Sequence, residues 1–375
     1  MKWLALALLL ALIPCPAAGQ TLTEGVTQML DGLDLSPLEE AVGASDPFAA
    51  TGGFRQTLQR IALGQLTLDF DQVMQLLTSR FCSAVTGSLW RLTRLAAPAL
   101  VWSILRRLTG KDSSAGKAVC YLMVCVCLAR DLADHLALCT ASMEKISSGM
   151  QGLFPLLLTL MAAVGGSAGA TLMQPAVVAA AGSMTGLIRH VTLPLATVAG
   201  VLTMLCHLGN GLRLDRLASL AHRAATWTLG LCFTVFIAVL MTRGVTAAAV
   251  DGITLRTAKY ALDNLIPVVG GLFADTVDTL VGSSMLVQGA LGVTGLMLVL
   301  SWAMSPLCQT LCAALAYQLA SALMQPVADG ELARCIGDFS RVLMLLFIIQ
   351  LCTAAMFLLL VAQLVAVSGM TMMLR

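Results

Sequence analysis

The chain has 375 residues, of which 58% are hydrophobic and 11% are charged, and its formal net charge is +2. A soluble domain usually carries about 25% charged residues, so most of this chain needs lipid rather than water as its solvent. The small net charge and the lack of a basic stripe with interleaved aromatic residues argue against nucleic-acid binding. The composition therefore predicts an all-α, polytopic helical membrane protein.

Residues 1–19 have the pattern of a signal peptide. Lys2 supplies a positive start, residues 3–13 are apolar, and Ala17 and Gly19 stand at the −3 and −1 positions of a cleavage site. Gln20 is then the expected first residue of the mature chain. The apolar run is short for a membrane span, which leaves an uncleaved anchor as the alternative.

Residues 20–84 are expected to be exported, as a polar linker followed by an amphipathic helix. Residues 20–53 carry acidic side chains and no Lys or Arg, which suits a linker outside the cytoplasm. Within residues 54–81, apolar side chains recur at three- and four-residue spacing, as on one face of a helix, at Leu66, Phe70, Val73, Leu77 and Phe81. Packing of this helix on its own bundle is as well supported as a place on the membrane surface or on a partner.

Residues 85–375 are expected to form the transmembrane domain, because long apolar runs follow one another there. A helical span needs about 20 residues. The runs cover residues 85–105, 118–139, 153–191, 192–208, 224–242, 290–328 and 342–374. We expect Pro306 to divide the run 290–328 into two helices, while glycines and prolines interrupt the run 153–191. The sequence thus predicts roughly seven spans, within a range of six to nine.

The positions of the basic loops predict the orientation of the chain. Arg106, Arg107, Lys111 and Lys117 follow the first run, and Arg213, Arg216 and Arg223 follow residue 208. Loops rich in Lys and Arg stay in the cytoplasm. A cleaved leader places Gln20 outside, and one crossing then brings the first basic cluster inside, so the two signals agree.

The second run carries charges inside a predicted span. Residues 118–129 are too few to cross the membrane, so the helix has to continue through Arg130, Asp131, Asp134 and His135. Each unpaired charge at mid-membrane costs about 2.5–3.5 kcal/mol on insertion scales. Arg130 with Asp134, and Asp131 with His135, are four residues apart and can meet on one helix face. The pattern favours two structural salt bridges near the membrane edge over a polar track in the bundle.

The chain is not expected to be an enzyme, and we expect no cofactor and no metal site. Gly165, Gly166, Ser167, Ala168 and Gly169 match the GxSxG pattern, but the strand-to-helix elbow and the partner residues that the motif needs are missing. Glycines at such spacing favour close helix packing in membranes. Most of the twelve cysteines lie in apolar runs, where cysteine behaves as a small hydrophobic residue, and no CxxC pair suggests zinc or redox chemistry.

Residues 243–295 are too polar for a simple span and too apolar for an ordinary loop. The stretch carries the charged residues Asp251, Arg256, Lys259, Asp263, Asp275 and Asp278, and the small-residue or helix-breaking glycines Gly244, Gly252, Gly270 and Gly271. Irregular backbone at membrane depth is tolerated only when it is buried in protein or lines water. A polar path or partner interface and an amphipathic interfacial hairpin are therefore both open.

This stretch resembles the stage III sporulation protein AE family of endospore-forming bacteria. The resemblance rests on GVTAAAVDGITLRTAKY at residues 244–260, NLIPVVGGLFADTVDT at residues 264–279 and the segment 317–343. The segments 155–175 and 193–202 also match the family, and the similarity covers nearly the whole chain. One departure is Gln318, where the family leads us to expect a lysine.

The resemblance implies a multi-pass protein of the mother-cell membrane that surrounds the forespore. It implies a subunit of a secretion-like channel between the two cells, built with the other stage III sporulation A proteins and, through them, the forespore protein Q. It supplies no catalytic residue, and self-association stays open. The alternative function is a stand-alone secondary transporter of a small solute, a class in which broken helices are common, although the two halves of the chain show no convincing repeat.

Overall fold

The computed structural model describes residues 26–27, 30, 32–33, 35–43, 48, 52–64, 78–88, 90–91, 93, 101, 114–163, 179–206, 214–265, 270–325 and 330–373. Side chains are described in these ranges except at residues 37, 40–41, 114–117, 161, 163, 243–281 and 367–373. This part of the chain forms helices and turns and contains no strand, which confirms the all-α prediction. The predicted signal peptide, residues 1–19, lies outside it.

Seven helices carry the architecture of the described residues. They are α1 (Ser36–Val42), α2 (Phe54–Ala62), α3 (Ser114–Ala163), α4 (Ala179–Leu205), α5 (Asp215–Leu265), α6 (Gly270–Met324) and α7 (Gly330–Met373). Residues 78–88, 90–91 and 93, between α2 and α3, are also helical. At 1.5 Å per residue, the 50-residue α3 runs for about 75 Å, which exceeds a bilayer of about 40–45 Å with its headgroups.

Four of the described helices are long and apolar enough to cross a membrane. They are Ala179–Leu205, Asp215–Thr242, Gly282–Met324 and Gly330–Ala366. This agrees with a membrane protein, but it does not confirm the predicted number of roughly seven spans. Most of the first predicted span, residues 85–105, lies outside the described residues.

The predicted break at Pro306 is wrong, because α6 continues through it from Gly270 to Met324. Proline removes one backbone donor from a helix, but neighbouring helices and polar side chains compensate for this loss within a membrane bundle. Pro306 is buried among its neighbours. Pro155 likewise lies inside the continuous helix α3.

Helices α3, α6 and α7 form the centre of the bundle, with α6 antiparallel to both of the others. Near the start of α3, Asp131 meets Tyr317 near the end of α6, and further along α3 Gly149 meets Trp302. The Tyr317 ring packs edge-on against Phe339 of α7, with 5.0 Å between the ring centroids. The core between these helices is mostly apolar.

One end of the bundle, which we name the basic end, joins the start of α3, the end of α4 and the start of α7. There the Tyr121 hydroxyl donates to the Met204 carbonyl oxygen at 2.8 Å and lies 3.4 Å from the Cys335 sulfur. Helices α3 and α5 both begin at this end, and in the sequence the first basic cluster leads into α3 and the second into α5. Two loops on one side of a membrane have to lie at one end of the bundle, and these two helix starts do. Which side of the membrane this end faces stays a prediction.

The amino-terminal segments pack on the bundle. Helix α2 lies against α6 and buries Phe54, Leu58 and Ala62 in the common core, and α1 lies against α3. The predicted helix over residues 54–81 is wrong in its length, because α2 ends at Ala62 and Gly64 turns the chain with a φ of +66°. Residues 65–77, with four of the five apolar positions of the predicted stripe, lie outside the described residues.

Candidate functional site

A polar cluster lies inside the bundle between α3 and α6. Asp131 and His135, one turn apart on α3, are only 6% and 1% exposed. The Tyr317 hydroxyl of α6 donates a hydrogen bond to the Asp131 carboxylate. The Thr310 hydroxyl lies 3.5 Å from Nδ1 of His135. Buried polar groups that find partners in this way tie two long helices together at one register.

Arg91 brings a third segment of the chain into this cluster. Its Nη1 atom lies 2.6 Å from Nε2 of His135. Arginine is always protonated and can only donate, so Nε2 accepts and the imidazole is neutral, with its proton on Nδ1 facing Thr310. The Arg91 charge also lies close enough to act on Tyr317, beside Asp131. The buried carboxylate therefore has a compensating cation nearby, as a buried charge requires.

The two ion pairs that we expected along α3, Arg130 with Asp134 and Asp131 with His135, are not formed. Asp131 and His135 face the bundle and take partners from other segments. Arg130 and Asp134 lie on the exposed side of the same helix. Ion pairing between described side chains occurs elsewhere, as between Arg189 and Glu144.

Sequence reasoning missed Arg91, Thr310 and Tyr317. A usable signal was present for two of them, because Thr310 and Tyr317 are polar residues seven apart in a run without charges, and this spacing places them on one helix face. Arg91 carried no such signal. It lies 44 residues before His135, and no local spacing links the two.

A second polar site lies between α3 and α4. Glu144 and Arg189 form an ion pair of 2.8 Å with both side chains about half exposed. Arg189 belongs to a π-helical turn of α4, Ile188–Thr192, and such turns occur frequently at functional sites. A cavity of about 220 Å³ adjoins the pair. The ammonium of the next residue, Lys145, lies 5.5 Å from the centroid of the Trp302 ring of α6.

The remaining predicted site residues lie where side chains are not described. Asp251, Arg256, Lys259, Asp263, Gly244 and Gly252 belong to the distal part of α5, and Gly270, Gly271, Asp275 and Asp278 belong to the start of α6. Helix α5 ends at Leu265 and α6 begins at Gly270, on either side of Pro267. Gly165, Gly166 and Gly169 lie outside the described residues. The polar path and these packing glycines therefore stay predictions.

Other glycines pack closely against side chains of neighbouring helices. A Cβ atom at Gly149 would overlap the Trp302 ring, and one at Gly200 would press on Leu132. At Gly292 and Gly295 an added Cβ would meet Val365 and Leu153. The principle that small residues allow close helix approach in membranes thus applies at α3, α4 and α6.

Comparison with known proteins agrees with the resemblance in the sequence. The family model for stage III sporulation protein AE matches residues 53–368. Stage III sporulation protein AE of Bacillus subtilis (strain 168) is 28% identical over 263 residues, which cover 70% of this chain and 66% of that protein. No solved structure matches the chain. Since the family model covers most of its length, the chain belongs to the stage III sporulation protein AE family.

Proposed function

We propose that this protein is an integral membrane subunit of a multiprotein, secretion-like channel that links mother cell and forespore and is needed for endospore formation. It sits as a multi-pass protein in the mother-cell membrane around the forespore. Its partners are other stage III sporulation A proteins and, through them, the forespore protein Q. Membership of the sporulation family and four helices with the length and apolarity of spans support the proposal.

The proposed assembly with other subunits rests on the outward position of Arg130 and Asp134 on α3. The next residue, Asp131, bonds to Tyr317, which lies within the candidate span Gly282–Met324. Arg130 and Asp134 therefore lie near the basic end of a span, close to the level of Phe339 at the start of α7, while facing away from their own bundle. A charge facing lipid costs up to about 2.5–3.5 kcal/mol at the bilayer centre on insertion scales, and less towards the boundary. A neighbouring subunit with polar groups at that depth removes this cost.

Isolation of the tagged protein from sporulating cells, after mild cross-linking, tests the proposal. We expect other stage III A proteins to co-purify with it. In the variant R130L/D134L, lipid covers the face without cost, so the protein should accumulate normally and lose these partners. Arg216→Leu is the matched control, since Arg216 is an exposed cation at the start of α5, and it should keep them.

Two results would contradict the proposal. In the first, R130L/D134L retains its partners and sporulates normally, which removes the role given to this face. In the second, the wild-type protein is isolated alone and the purified chain, by itself in liposomes, carries a small solute across the membrane. That result would identify the stand-alone transporter.

A further inference from the structure

A charged cavity of about 300 Å³ opens at the basic end between α4, α5 and α7. Its wall includes two arginines, a histidine, two carboxylates and a hydroxyl, namely Arg223, Arg341, His222, Asp215, Asp338 and Ser219. The volume is at the lower end of the range of ligand pockets, about 300–1,000 Å³. The family relationship and the proposed channel role assign nothing to this cavity.

Opposite charges occupy different parts of the cavity wall. The Asp215 and Asp338 carboxylates both lie close enough to the Cys206 thiol to act on it. Arg341 lies close enough to the His222 ring to act on its charge. One link joins the two parts, since Nη1 of Arg341 lies 3.1 Å from Oδ1 of Asp338, with the arginine side chain 79% exposed. Such an exposed pair is weak, so the guanidinium is free to turn to a ligand.

The cavity lies at the level where the charged residues of α5 and α7 end and their uncharged stretches begin. Beyond Arg223, residues 224–242 of α5 carry no charge, and beyond Arg341, residues 342–373 of α7 carry none. Helices α5 and α7 pack against each other and run in the same direction, since His222 lies by Arg341 and, further along, Phe236 lies by Phe357. The two arginines therefore mark one boundary of the hydrocarbon layer.

Exposed apolar side chains lead from this boundary into the hydrocarbon layer. Trp227, which is 76% exposed, lies one turn beyond Arg223, and Ile348 lies two turns beyond Arg341, each on the same face as its arginine. Tryptophan is enriched at membrane interfaces, where its ring sits at headgroup level. A ligand with a charged head and apolar chains would contact both the cavity and these side chains.

We propose that this cavity binds the headgroup of an aminophospholipid, a lipid of the phosphatidylethanolamine type. The phosphate lies against Arg223 and Arg341, the primary ammonium donates to Asp215 and Asp338, and the acyl chains follow Trp227 and Ile348. A phosphatidylglycerol headgroup offers no cation to either carboxylate. A choline headgroup has no N–H with which to donate.

Lipid retention by the full-length protein tests this proposal. The purified protein is equilibrated with equal amounts of phosphatidylethanolamine, phosphatidylglycerol and phosphatidylcholine in detergent, re-isolated, and its bound lipid is quantified. We expect phosphatidylethanolamine to be enriched several-fold over its share of the mixture. The variant R223Q/R341Q should lose this enrichment, and D215N/D338N should shift the preference to phosphatidylglycerol. Arg216→Gln, an exposed change on α5 outside the cavity wall, should behave as wild type.

Three outcomes would overturn the proposal. Wild-type protein enriches phosphatidylglycerol as much as phosphatidylethanolamine, or both double variants, isolated as folded protein with unchanged elution and thermal midpoint, retain the wild-type preference. In the third, free phosphoethanolamine binds as tightly as the lipid, so that the acyl chains add nothing, which would assign the cavity to a soluble headgroup-like solute rather than to a lipid.

Discussion

The cluster around Asp131 and His135 is the feature of this protein that depends most on single residues. It places a carboxylate, an imidazole and a guanidinium in an apolar bundle, and each finds its partner on another segment of the chain. In such surroundings the loss of one partner leaves the other buried and unsatisfied. This costs more free energy than the hydrogen bond contributes to stability. The geometry therefore assigns Arg91 the role of fixing the segment before α3 to the bundle.

Replacing Arg91 by leucine should destabilise the protein by about 1–3 kcal/mol, because Nε2 of His135 loses its donor and Asp131 loses its nearby cation. The matched control is Arg80→Leu, since Arg80 is exposed on the same helical segment and should change stability little. Thermal unfolding in detergent measures both. Equal thermal midpoints for the two variants would contradict a stabilising role of Arg91 in the cluster.

A thiol at the basic end offers a second residue-scale test. Burial, together with the Asp215 carboxylate beside it, raises the pKa of the Cys206 thiol to about 11. The thiolate is the reactive form, so alkylation of Cys206 as the single cysteine should be slow at pH 7.5 and accelerate as the pH rises towards 11. Asp215→Asn removes one cause of the raised pKa and should speed the reaction at pH 8. A rate that is fast at pH 7.5 and independent of Asp215 would contradict this geometry.

At the scale of helices, the contact between α3 and α6 depends on Gly149, which leaves room for the Trp302 ring. Gly149→Ala should destabilise the protein by about 1–3 kcal/mol, the cost of overpacking a filled core, because the indole is a rigid neighbour. Gly289→Ala on α6 is the control, since open space surrounds that position and alanine favours the helix by about 1 kcal/mol over glycine. A rise in the thermal midpoint for both substitutions would contradict the close packing of Gly149 against Trp302.

Parts of this arrangement could be predicted from sequence and parts could not, for physical reasons. Composition and uninterrupted apolar runs were enough to predict an all-α membrane protein. The continuity of α6 through Pro306 depends on neighbouring helices that supply what proline removes, which no local pattern reports. Likewise, spacing on α3 placed Asp131 and His135 on one face, but the bond to Tyr317 joins residues 186 positions apart. Such partners become visible only after the helices are packed.

For the molecule as a whole, the length of the helices sets limits on which parts can lie in lipid. Starting from the boundary at Arg223, α5 runs for about 40 Å to Asp251 at 1.5 Å per residue. The hydrocarbon layer is about 30 Å thick. The distal part of α5 and the start of α6, with the predicted polar residues from Asp251 to Asp278, therefore extend beyond the opposite boundary.

This length argument gives a prediction for membrane sidedness. With the basic end in the cytoplasm, single cysteines at Thr254 and Thr279 should react with a membrane-impermeant thiol reagent from the export side. A cysteine at Ala238, within the uncharged part of α5, should stay protected. Protection of Thr254 and Thr279 alongside labelling of Ala238, in a cysteine-free background that supports sporulation, would contradict the predicted depth.

The central claim is that the outward face of α3 meets another subunit of a sporulation assembly rather than lipid. Ala133 is exposed on this face between Arg130 and Asp134, so a photo-cross-linking amino acid at this position probes the claim directly in sporulating cells. We predict a protein adduct that contains another stage III sporulation A protein, and no such adduct from the exposed position Leu323 on α6. Lipid adducts alone at Ala133, in cells that sporulate normally, would contradict the account.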